Sequence, residues 1–121
     1  MSHDEQETSA VLEGSGSESV IDTLLLIRRE PSRLSMYIGE PHVLSLNGFI
    51  LGFRICLSEK GNMDERYYRF REWLREVKQE FPPEGWCSKF LQDCGGDHLR
   101  AIHKFLDRVA EYHAQEEHGT P

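Results

Sequence analysis

Between residues 64 and 112 the large apolar side chains return every three or four positions, and two breaks, Pro82-Pro83 and Gly95-Gly96, cut that rhythm into pieces. A period near 3.6 points to helices rather than half-buried strands. Tyr67, Phe70, Leu74, Val77 and Phe81 form the first stripe, broadened by Trp73, and predict a helix over residues 64–81. Asn62 followed by Glu65 supplies a capping box at its start, and the prolines stop it. Trp86, Phe90 and Leu91 mark a short helix over residues 86–94, ended by the glycine pair. Asp97 then caps a last helix whose stripe is Leu99, Ile102, Phe105, Leu106, Val109 and Tyr112. From Ala114 the chain is polar and is expected to fray.

Upstream, Ser19 or Asp22 can cap a helix over Val20–Arg29, with Leu24, Leu25 and Ile27 available for burial and Arg28 and Arg29 placed to suit the helix dipole. Pro31 closes it. Residues 30–41 combine two prolines and a glycine with Met36, Tyr37 and Ile38, predicting an ordered connector whose apolar centre is pinned to the core. Residues 42–58 hold the densest apolar run, in which Val43, Leu44, Leu46, Phe49, Ile50, Leu51, Phe53, Ile55 and Leu57 cover nearly every direction around a helix. Such a helix is expected to be buried on all sides, with a strand pair as the competing reading. Gly48 and Gly52 put two small residues on one face, where another backbone can pack closely. The expected fold is all-α, a compact bundle of about five helices joined by short connections.

The chain has 121 residues, enough to bury roughly two-thirds of its unfolded surface without disulfides or metal, and residues 19–116 read as one helical domain. Lys and Arg number 14 against 21 Asp and Glu, a net charge of −7. Five of those acids, Asp4, Glu5, Glu7, Glu13 and Glu18, fall in residues 1–18, which carry no Lys or Arg and only Val11 and Leu12 as large apolar residues. That stretch is expected to be a flexible acidic tail, and residues 117–121 a disordered end. The acidic balance argues against generic binding to nucleic acid or to an anionic membrane. No basic stretch leads into an apolar core near the N-terminus, so the expected location is cytoplasmic. Three cysteines, Cys56, Cys87 and Cys94, make an odd count that fits reduced thiols there, with a Cys87–Cys94 bridge the less favoured alternative.

Candidate chemistry is sparse. Cys87, Cys94 and His98 come closest to a metal-ligand pattern, but their Cys-x6-Cys-x3-His spacing is not that of a structural zinc site, and buried thiols with an exposed histidine are the favoured reading. No metal or other cofactor is expected. Cys94 sits at a helix C-terminus, where the dipole disfavours a thiolate nucleophile. His103 with Asp107, and His113 with Glu117, are spaced for surface hydrogen bonds. Gly95-Gly96-Asp97 could offer a helix N-terminus to an anion, yet the Asp cap satisfies those N–H groups itself. Arg66, Arg69, Arg71, Arg75 and Lys78 share their helix with Tyr67, Tyr68 and Trp73, but Asp64, Glu65, Glu72, Glu76, Glu80 and Glu84 cancel the field a nucleic-acid face needs. What remains are anchors for a protein partner: Tyr37, Tyr68, Arg71 and Arg75.

Three segments carry a family resemblance. They are Ser35-Met36-Tyr37-Ile38-Gly39-Glu40-Pro41; Leu46-Asn47-Gly48-Phe49-Ile50-Leu51-Gly52-Phe53; and Gly85-Trp86-Cys87-Ser88-Lys89-Phe90-Leu91 running into Gly95-Gly96-Asp97 and Ala101-Ile102-His103-Lys104-Phe105-Leu106. Together these resemble a family of small, uncharacterised bacterial proteins, over about residues 33–112. Arg33-Leu34-Ser35 departs from the Arg-Pro-x of that family's opening motif. Small acidic proteins of this type are similar to immunity proteins, which neutralise toxins of neighbouring cells. The resemblance implies a non-enzymatic domain that binds another protein, a toxin, and it brings no catalytic residue. A basic partner such as a nuclease toxin would be steered by acidic charge, and here that charge lies in residues 4–18. A metal-dependent or Cys/His-using enzyme or regulator built on Cys94, His98 and His103, and a structural accessory subunit, are the alternatives.

Overall fold

Ser19, Asp64 and Asp97 each offer a side-chain oxygen to the first free N–H groups of a helix: Ser19 Oγ accepts from Ile21 N at 3.0 Å, Asp64 Oδ1 from Tyr67 N at 3.0 Å and Asp97 Oδ1 from Arg100 N at 3.1 Å. In a computed structural model, which describes residues 18–118, these caps open three of six helices. The helices are α1 (Val20–Arg29), α2 (Leu34–Ile38), α3 (Val43–Glu59), α4 (Glu65–Glu76), α5 (Trp86–Asp93) and α6 (His98–Glu117), with a 3-10 turn at Pro31–Arg33. There is no strand among the described residues, and the fold is the expected all-α bundle. No helix among them is long and apolar enough to cross a membrane. Residues 1–17 of the expected tail, and 119–121, lie outside the described residues.

The long helix α6 packs against α1, α3, α4 and α5. Its Ala101, Ile102, Phe105, Leu106 and Val109 are buried at the centre, where the Trp86 ring lies flat on Phe105 with centroids 3.9 Å apart. Phe70, Phe90 and Phe105 complete an aromatic layer, and Val20, Ile21, Leu24 and Ile27 of α1 close the other side.

Several local expectations are corrected. Residues 30–41 are not a loop: the 3-10 turn and α2 make a sixth helix of them. Ile38 packs partly buried against the core as expected and Leu34 is buried beside it, whereas Met36 stands 73% exposed. The cap of α4 is Asp64 and not Asn62, whose N–H instead donates to Leu57 O and closes α3. Helix α4 stops at Glu76, five residues before Phe81, because Gln79 takes a left-handed conformation (φ 56°) and Glu80 N turns back to Leu74 O at 2.9 Å. Val77, beyond the last turn, is therefore exposed, as is Leu99 in the first turn of α6. Helix α5 ends at Asp93, where Gly95 and Gly96 both adopt positive φ and Gly96 N reaches Leu91 O. The frayed end expected from Ala114 gives way to a helix that continues to Glu117.

The largest departure concerns α3. Val43, Leu46, Ile50 and Leu57 are buried, but Leu44 is 63% exposed and Leu51 and Ile55 are each 51% exposed. The helix is apolar all round yet covered on one side only. Gly48 and Gly52, expected to admit a packed backbone, sit on the open side, and a Cβ built at either would meet nothing within 4 Å.

Candidate docking groove and its surroundings

Leu44, Leu51 and Ile55 recur at i, i+7 and i+11, which places them on one side of α3 with Gly48 between them. One edge of that side carries Asn47 and Arg54. These two, with Leu44 and Leu51, line a cavity of about 300 Å³ whose other walls come from α4 (Tyr67, Arg71), from the chain leading into α5 (Phe81, Glu84) and from Trp86 at its start. Arg71 and Phe81 also line an adjoining, more open cavity of about 720 Å³, together with Arg75, Gln79, Pro82, Pro83 and Lys89. The two form one groove along α4, and its apolar rim is the exposed side of α3.

Local chemistry fixes the groove. Trp86 is buried and donates its indole N–H to Asn47 Oδ1 at 3.3 Å, which ties the start of α5 to α3. Arg54 lies over the Tyr67 ring at 5.0 Å and Arg71 over the Phe81 ring at 5.3 Å. The Arg71 Nε is shielded from solvent and has no hydrogen-bond partner among the described residues. Burial pushes the Tyr67 phenol up to about 12, with Arg54 and Arg71 opposing the shift, so at neutral pH it is a neutral hydroxyl. Arg75 is paired with Glu72 and Glu76, and Lys89 with Asp93. Arg54 and Arg71 form no ion pair among the described residues.

Of the four expected partner anchors, the structure brings three together. Tyr68, Arg71 and Arg75 occupy one face of α4 at i, i+3 and i+7 beside the groove, with Tyr68 exposed. Tyr37 lies on the other flank of α3, its ring 5.2 Å from Phe49. The exposed stripe of α3 and Arg54 were missed. The glycine pair was their only signal, since a helix apolar in every direction does not say which side faces out.

The sulfur and imidazole groups do separate work. Cys87 Sγ lies 3.6 Å from Val43 O, and burial pushes its thiol up to about 11, leaving a neutral weak donor. His98 Nδ1 accepts from Val43 N at 3.2 Å, and the His98 ring stacks on His42 with centroids 3.9 Å apart, so both rings cap α3. Cys94 sits at the end of α5, and Cys56, Cys87 and Cys94 are free thiols. No three His, Cys, Asp or Glu side chains gather into a metal-holding group among the described residues. Asp107 pairs with Arg28 rather than with His103. His113 lies 3.6 Å from Glu117, beside an Arg66 whose guanidinium bonds to Glu116 and Asp22 hold its pKa above the ordinary value, although burial opposes them. The chain matches no family model, no curated protein and no solved structure.

Proposed function

We propose that this protein is a non-enzymatic domain that binds another protein through the exposed side of α3 and the groove beside it. The observation that carries the reading is the apolar stripe of Leu44, Leu51 and Ile55, left half or more exposed along one side of a single helix. A contiguous apolar patch rimmed by arginines and tyrosines is the composition of a protein interface. The family resemblance extends the reading to an immunity protein, with a toxin as the partner and the cytoplasm as the place of action.

A photo-crosslinking residue at Leu51, and for comparison at Asp107 on α6, tests it in the producing cell. The expected result is one discrete heterologous crosslink from Leu51, none from Asp107, and loss of the first in an Ile55→Asp background that still folds. Equal crosslinking from both positions, or none from Leu51, overturns the reading. Co-purification with the product of a neighbouring toxin gene tests the extension.

A further inference from the structure

We propose that the groove is a carboxylate subsite of that docking face: a partner's amphipathic helix lays its apolar side on Leu44, Leu51 and Ile55 and delivers an Asp or Glu side chain to Arg71 and Arg54. This rests on the docking reading and adds the partner's chemistry to it.

Charge is the first argument. The chain carries −7, yet the groove is lined by Arg54, Arg71, Arg75 and Lys89 with Glu84 as its one acid. Arg75 and Lys89 are neutralised by their own neighbours, whereas Arg54 and Arg71 form no ion pair among the described residues. The sign is thus opposite to what net charge implies. A partner chosen by this face presents negative charge to it.

The Arg71 donor points the same way. A shielded guanidinium N–H without an acceptor is unfavourable, and a carboxylate offers two oxygens that match two N–H groups on one edge of the guanidinium. Arg71 lines both cavities, so its side chain borders the groove. Phe81, Trp86, Leu44 and Leu51 around it lower the local polarity, which strengthens such a pair. The Tyr67 hydroxyl, on the same wall, is neutral and adds no competing negative charge.

The shape of the face selects a helix as the occupant. No sheet edge exists among the described residues for a strand to extend. Leu44 to Ile55 spans about 16 Å, the length of three helical turns. The open positions at Gly48 and Gly52 leave recesses between the leucines for side chains of a crossing helix.

The probe is a capped alanine-based peptide of about sixteen residues, helical by circular dichroism, with leucines at i, i+4, i+7 and i+11 and glutamates along one edge. Its twin has glutamines in their place. Each is titrated into the full-length protein while NMR follows the Leu51 methyls, the Arg71 Nε–H and the Trp86 indole N–H. The expected result is saturable movement of all three with the glutamate peptide, binding at least about tenfold weaker for the glutamine twin, and loss of that preference in Arg71→Gln and in Arg54→Gln. Movement of Leu51 by both peptides alike, with Arg71 still, overturns the carboxylate subsite and leaves the docking reading standing. No movement by about 1 mM peptide overturns the subsite, and the Leu51 crosslink then judges the docking reading by itself. Two further outcomes also overturn it. One is an equal response of Arg71 to acetate alone, which makes the groove a site for free carboxylates. The other is movement of Arg71 without peptide when Asp4, Glu5, Glu7 and Glu13 are changed to their amides, which makes the chain's own acids the occupant.

Discussion

Asp64 holds Val20 across 44 residues of sequence: its Oδ2 accepts from Val20 N at 2.8 Å while Oδ1 caps α4 through Tyr67 N. One buried carboxylate thus serves the positive ends of two helices and fixes α1 against α4. Asp64→Ala removes a cap and leaves a buried N–H without a partner, so the expected loss is about 2–4 kcal/mol. Urea unfolding reads it as a lower midpoint at unchanged slope, and an unchanged midpoint would show that water replaces both bonds.

Glu80 accepts from Arg108 Nε at 2.6 Å and lies 3.7 Å from Lys104 Nζ. Burial pushes its carboxyl up, but the Arg108 hydrogen bond and the charges of Arg108, Lys104 and Lys78 outweigh that and hold it below its ordinary 4.5. A depressed folded-state value means that the carboxylate's contribution is complete above the unfolded value and is lost as pH falls through the folded one. Glu80→Gln is expected to cost about 1–2 kcal/mol at neutral pH. The gap to the parent should start to narrow below pH 4.5 and close as pH falls through the lower folded value; a gap that never narrows would assign the loss to packing.

Gln79 is the one non-glycine residue with positive φ among those described. A side chain costs about 1 kcal/mol in that left-handed region, part of which glycine returns through its freer unfolded state. Gln79→Gly should raise stability by about 0.5 kcal/mol and Gln79→Val should lower it. Thermal unfolding of the pair gives the order, and the reverse order would mean that the turn is held by the Gln side chain.

Cys56 is exposed, whereas Cys87 is half-buried with its thiol pushed up from 9.0 to about 11 by burial. At neutral pH a thiol-specific reagent should therefore modify Cys56 at least about tenfold faster than Cys87, as mass spectrometry of the labelled peptides would show. Because the neutral thiol is favoured in the fold, its contribution is complete below pH 9.0 and declines as pH rises toward 11. Equal labelling rates would place Cys87 on an opening segment.

Much of this architecture is legible in residue order because its causes are local. Ser19 and Asp97 are caps by type and position, Gly95-Gly96 ends α5 through conformations that glycine adopts freely, and Phe105 and Val109 lie on a 3.6-residue stripe. Asp64 was harder to read: Asn62 and Asp64 are both good caps, and the one that wins is the one that also reaches Val20.

What residue order pointed to by itself is the all-α class and five of the six helices, since hydrogen bonds within a few residues and a repeating apolar period decide these. The tertiary structure alone decided which side of α3 is left uncovered. An all-round apolar helix has no internal preference, and the choice is made by how the volume beside α6 is filled, with Trp86 anchored to Asn47 and stacked on Phe105. It likewise decided that Arg54 and Arg71, 17 positions apart, share one groove while neither forms an ion pair among the described residues. Pairing across that distance depends on where α3 and α4 pack, and no short-range rule reaches it.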